Sequence, residues 1–197
     1  MTIHNPDYDN PQIEAQSHVH KAGEFPREEL TPNDIDDVEA EPETQEFFAS
    51  ANGCNTPWRT AKSLLTLRDE VNQAAPGRNK ASDGTIGDAA HCQRRSDHNP
   101  WVRDGNIGVV TAMDITHDPS DGCDAAEIAE SIRRNRDPRV KYIIWNRQIA
   151  NSSSINGQPP WAWRTYTGSN PHDKHIHISV KSDKPNYDST AAWNVMS

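Results

Sequence analysis

His172-Asp173-Lys174-His175-Ile176-His177-Ile178-Ser179-Val180 places three imidazoles within six residues and then continues as an alternation of polar and apolar side chains. In a β-strand successive side chains point to opposite faces, so His175, His177 and Ser179 share one face. Ile176, Ile178 and Val180 share the other. The apolar face needs a core beneath it, which leaves two imidazoles side by side over an expected cleft. Histidine is the commonest metal ligand and a frequent general base near neutral pH. A histidine-rich edge strand facing solvent is the plain structural alternative.

Outward from this strand, the charge is distributed unevenly. The chain has 197 residues, a net charge of −9 and only 33 % hydrophobic residues. Residues 1–52 hold thirteen Asp and Glu against Lys21 and Arg27, whereas residues 53–197 hold sixteen acids and eighteen bases. Residues 1–52 therefore read as a flexible acidic arm, too poor in apolar side chains to offset its own ordering entropy. Phe25, Phe47 and Phe48 are the candidate docking points of that arm on a protein partner or on the body. Residues 53–197 read as one domain.

Cys54, Cys92 and Cys123 form neither a paired disulfide framework nor a CxxC knuckle, which points to reduced thiols and a reducing cytoplasm. The first ten residues lack the basic and apolar regions of a secretory signal. No apolar run approaches the ~20 residues of a membrane-spanning helix. A nearly neutral body without a basic stripe also argues against nucleic acid as the main partner.

Along the body, Thr56 and Pro57 suit a helix start, and Ala61, Leu64, Leu65, Val71 and Ala75 follow a helical period that Pro76-Gly77 ends. A polar loop over 78–97 follows. The run from Val109 to Ile115 reads as a strand, and a helix is expected from about Asp124 with Ala125, Ile128, Ala129 and Ile132 on one face. Val140–Trp145 reads as a central strand. Residues 161–165 are a further strand candidate, and 175–180 the last. This order predicts an α+β fold: a small antiparallel or mixed sheet with helices packed on one side. Ser169-Asn170-Pro171 reads as a tight turn that sets the histidine strand in register, and at least one of Trp161 and Trp163 belongs in the core.

Two upstream segments complete the candidate chemistry. Ser96-Asp97-His98 offers another imidazole, and Asp114 stands toward the end of an apolar strand, where a carboxylate is costly unless a cation or donor meets it. A turn or capping aspartate is the ordinary reading of that residue. A serine two before a histidine, a later Ala-x-Asp on a strand, and a terminal His-x-x-His-x-His together resemble the zinc peptidases of the lysostaphin, D-alanyl-D-alanine peptidase and hedgehog group. Within it the pattern looks most like the penicillin-insensitive murein endopeptidases. The resemblance covers roughly residues 56–180.

It implies zinc held by His98, Asp114 and His177, and hydrolysis of an amide bond in bacterial cell-wall peptides. Arg94, or its neighbour Arg95, would hold a substrate carboxylate or the developing oxyanion. Fifteen residues separate His98 from Asp114, more than in the D-alanyl-D-alanine peptidase branch, so 99–106 reads as an inserted hairpin loop. The glutamate of that branch is absent before the last ligand, which leaves His175 or His172 to move protons. His117 and His91 are the competing ligands. With no signal segment, the chain reads as a phage enzyme made in the host cytoplasm, acting on peptidoglycan after release or as a virion component. The alternatives are a non-catalytic metal-binding or virion module and, less favoured, a His-metal nuclease.

Overall fold

The computed structural model of the protein describes residues 19–21, 56–86 and 96–196. Phe25, Phe47, Phe48, Cys54, His91, Cys92, Arg94 and Arg95 lie outside these residues. The elements run β1 (Trp58–Thr60), α1 (Lys62–Ala74), β2 (Val102–Asp104), β3 (Ile107–Val110), β4 (Ala112–Thr116), α2 (Ala125–Asn135), β5 (Val140–Trp145), β6 (Gln148–Asn151), β7 (Arg164–Thr165), β8 (His175–Val180) and α3 (Lys184–Tyr187). The fold is α+β, as the order of patterns predicts, but it holds two sheets rather than one. A five-stranded sheet has the order β4-β8-β5-β6-β7 with every pair antiparallel. A three-stranded sheet has the order β1-β3-β2, with β1 parallel to β3.

The alternation of β8 organises the larger sheet. Ile176, Ile178 and Val180 pack with Met113 and Ile115 of β4, Val140 and Ile143 of β5, Leu64, Leu67 and Val71 of α1, and Ile128 and Ile132 of α2. Each such aliphatic side chain contributes roughly 1.5–3 kcal/mol when fully buried. The opposite face carries a smaller cluster of Tyr142, Ile144, Ile149 and Tyr166. Consequently all six residues of β8 are buried, the polar ones included. The histidine face is covered rather than open to a cleft.

Three boundaries differ from the sequence expectation, each for a tertiary reason. Residues 58–60 do not open the helix, because the Gly108 N–H binds the Pro57 carbonyl and β1 pairs with β3. The single apolar strand expected at 109–115 is divided at Thr111, whose N–H donates to Asp97 O and whose carbonyl accepts from Val180 N. Its two halves serve different sheets. Of residues 161–165 only Arg164–Thr165 pairs, since Trp161 adopts φ 65° and turns its ring into the core. Helix α2 begins as expected, its Asp124 side chain accepting from Ala126 N at 2.8 Å.

The first and last described segments both bear on the body. Trp193 donates its indole N–H to Ser63 O at 2.8 Å and lies under the Arg139 guanidinium at 3.8 Å. Glu70 accepts from the Trp193 and Asn194 amides. Within the acidic arm, residues 19–21 lie against β1. His20 exchanges two backbone hydrogen bonds with Trp58, and its ring stacks on the indole at 3.9 Å. A chain starting at Ala51 loses these contacts and uncovers Trp58. It should be less stable by about 1–3 kcal/mol in urea denaturation, the scale of two backbone hydrogen bonds and an aromatic contact. Equal stability would show that residues 19–21 contribute nothing.

On α2, Glu130 accepts two bonds from Arg133 and one from the Trp163 indole. The Arg133 bonds lead in holding its carboxyl at about 2, with burial opposing and the Trp163 N–H assisting. A depressed carboxyl stabilises the fold above its ordinary value and loses that contribution as pH falls toward 2. Glu130→Gln should therefore cost about 0.5–1 kcal/mol at neutral pH, the scale of a partly exposed pair. The difference from wild type should vanish between pH 4.5 and 2. A pH-independent difference would contradict this.

Candidate metal centre

Register places the first two residues of the site. In the β4/β8 pair Asp114 stands directly opposite His177, and Thr116 opposite His175. Side chains opposite each other share a face, so the carboxylate enters the row of imidazoles. On the other side of β8, Tyr142 of β5 stacks on the His177 ring at 5.4 Å and 11°.

His98 reaches this face from a loop that its own sequence pins down. Ser96 Oγ accepts from His98 N at 3.2 Å, and the Asp97 carbonyl accepts from Thr111 N at 3.1 Å. The Asp97 carboxylate pairs with Lys141 at 3.0 Å. Pro100 then lies over Gly108 so closely that a Cβ there would come within 2.6 Å of the Pro100 carbonyl oxygen. Most of the fifteen residues between His98 and Asp114 thus form the β2/β3 hairpin, which turns at Gly105 with φ 62° and belongs to the smaller sheet, before Ala112 and Met113 open β4.

The result is a triangle of three atoms. His98 Nε2 lies 3.0 Å from His177 Nδ1, His177 Nδ1 lies 3.0 Å from Asp114 Oδ1, and His98 Nε2 lies 3.5 Å from the same oxygen. All three residues are buried, and this group can hold a metal ion. The far side of each ring is anchored. His98 Nδ1 donates to Thr85 O at 3.0 Å, which leaves the lone pair of the neutral ring on Nε2. His177 Nε2 lies 3.0 Å from Ser179 Oγ, so with its proton there the ring presents the Nδ1 lone pair to the centre.

Asp114 is 1 % exposed. Burial works to raise its pKa, but the His175 and His98 imidazoles and the bond to His177 hold its carboxyl well below the usual carboxylate range. A buried carboxylate of this kind requires positive charge nearby, from protonated imidazoles or from a cation. Its Oδ2 accepts no hydrogen bond and lies 3.4 Å from His175 Nε2. Neither ring nitrogen of His175 makes a hydrogen bond, although the residue is only 2 % exposed. A donor set with orphaned polar atoms at its centre suits a cation.

His172 completes the cluster from the turn expected before the strand. It adopts φ 51°, uncommon for a non-glycine residue, and its N–H donates to Asn170 Oδ1 at 3.0 Å. Its ring Nδ1 donates to Asn170 O, which turns the other edge toward His175 and His177, with centroids 5.0 and 5.7 Å away. Tyr166 packs edge-on against it. His117 stands elsewhere: its Nδ1 accepts from Ala125 N at 3.1 Å at the start of α2. The supports from Thr85, Tyr142 and Gly108 carry no readable sign in the sequence, since each acts through a backbone group, a stacking face or a close approach.

Comparison with protein-family models, with curated proteins and with solved structures found no match. The reading of the site therefore rests on its own geometry. Ser179→Ala removes the partner that fixes the His177 ring while leaving the sheet intact. Metal affinity should fall by about 10–100-fold, the usual cost of losing such a support, as measured by competition with a chromophoric chelator. Unchanged affinity would mean that Ser179 does not set the ring.

Proposed function

We propose that this chain is a zinc-dependent hydrolase whose protein ligands are His98, Asp114 and His177, and that it cleaves an amide bond in bacterial cell-wall peptides. The triangle of donor atoms carries this reading. Donors 2.0–2.1 Å from a tetrahedral centre lie about 3.3–3.4 Å from one another, and the three edges here are 3.0, 3.0 and 3.5 Å. Two imidazoles and one carboxylate are a catalytic zinc set with the fourth position left over. A bound zinc supplies a Lewis acid that polarises a carbonyl and acidifies water.

The peptide substrate is inferred from the order of the motifs, which is that of the murein peptidases the sequence resembles. The chain's own residues then divide the proton work. His175, on the same face as His177 and without hydrogen bonds at either ring nitrogen, takes a proton from water and delivers it to the leaving amine. His172, held by Asn170, orients and stabilises. Arg94 is the proposed anchor for a substrate carboxylate. An enzyme of this kind fits a phage that releases it to the wall at lysis or carries it in the virion.

Complete burial favours a second reading, a structural metal site in a binding module, because structural zinc sites are closed. Digestion of purified peptidoglycan by the zinc-loaded protein separates the two. Release of soluble peptides with new amino termini supports the hydrolase, and stoichiometric zinc without turnover supports the module. Within the hydrolase, His175→Ala should keep its zinc and lose at least ~10²-fold in turnover, the scale of general acid–base catalysis. His172→Ala should lose less. Near wild-type turnover in His175→Ala would remove the assignment.

A further inference from the structure

A buried ion pair that the proposed chemistry does not use lies at the outer edge of β4. The Arg78 and Asp83 side chains are 0 % and 4 % exposed. Both terminal nitrogens of Arg78 donate to the two oxygens of Asp83, and Arg78 Nε donates to Asn72 Oδ1 of α1 at 2.9 Å. Asp83 Oδ1 also accepts from Thr116 N and Thr116 Oγ1, at 2.9 and 2.8 Å. Thr116 Oγ1 in turn accepts from Ser82 N at 3.0 Å. A fork-to-fork pair of this kind fixes direction as well as distance.

The latch fixes a short segment against the edge of β4. Immediately after Asp83, Gly84 exchanges two backbone hydrogen bonds with Asp114. The next carbonyl, that of Thr85, accepts from His98 Nδ1. Ile86 then buries its side chain with Trp58 and Val110. Two members of the donor triangle thus take their positions from a three-residue stretch whose start is clamped by Asp83. A carbonyl behind a ligating imidazole fixes both the tautomer and the ring angle.

We infer that Arg78, Asp83 and Thr116 form a positioning latch that sets the metal affinity of the site by holding Gly84 on Asp114 and Thr85 behind His98. This rests on the reading of His98, Asp114 and His177 as metal ligands. None of the three latch residues belongs to the donor triangle; each acts through the 84–85 backbone.

The test uses the full-length protein, zinc as the probe and a competing chelator as the readout, with the melting temperature of the metal-free protein measured alongside. Thr116→Val keeps the shape of the side chain but removes the hydroxyl between Asp83 and Ser82. Its zinc dissociation constant should rise at least ten-fold while Thr116→Ser, which keeps the hydroxyl, stays near wild type. Ile132→Val, in the core on α2 and away from the site, serves as the stability control and should bind zinc as wild type does. Asp83→Asn, if it folds, should weaken binding further than Thr116→Val. The latch is overturned if Thr116→Val binds zinc as tightly as wild type. It is also overturned if Ile132→Val loses affinity in step with its melting temperature to the same degree. A wild-type protein that binds no zinc would instead overturn the metal reading itself.

Discussion

Asp114 is a carboxylate set in the interior of a sheet, and the surroundings of that one group explain most of what is unusual in the molecule. An isolated charge there would be strongly unfavourable. The β4/β8 register answers it by placing His177 directly opposite and His175 one step along the same face. His98 arrives from a loop to close the third side. Shifting β4 by one residue would send Asp114 into the aliphatic layer against α1 and α2 and bring Met113 or Ile115 to the histidines. The apolar core and the polar centre are therefore two faces of one register.

The smaller sheet makes sense in this light. It contributes no ligand of its own, yet Gly108 of β3 seats Pro100 and β3 leads into Thr111, and both contacts hold the His98 loop. The hairpin that lengthens the chain between His98 and Asp114 is a brace. Similarly, the segment at 82–86 fills the outer edge of β4 and turns the Thr85 carbonyl toward His98. The centre sits where two sheets and this edge segment meet.

Sequence patterning reveals these features unequally. Strand β8 is legible residue by residue, because an alternation of histidine and isoleucine has one sensible burial pattern. The start of α2 is equally plain from Asp124, and the residues of the donor triangle stand out as imidazoles and a misplaced carboxylate. What the sequence hides is non-local. Residues 58–60 look like a helical first turn until β3 claims them, and the run through Thr111 looks like one strand until Asp97 takes its N–H. An open cleft over the histidines is the natural expectation from alternation alone, and the cover of Tyr142, Ile144, Ile149 and Tyr166 overrides it. His117 resembles a ligand in one dimension, but its ring serves the first turn of α2.

X-ray absorption at the zinc edge, on untagged protein with its metal content measured in parallel, reads the ligands of the proposed centre itself. One zinc per chain is expected, with two imidazole nitrogens and a carboxylate oxygen at about 2.0–2.1 Å. Protein that takes up no zinc, or a zinc shell without imidazole scattering, would contradict it.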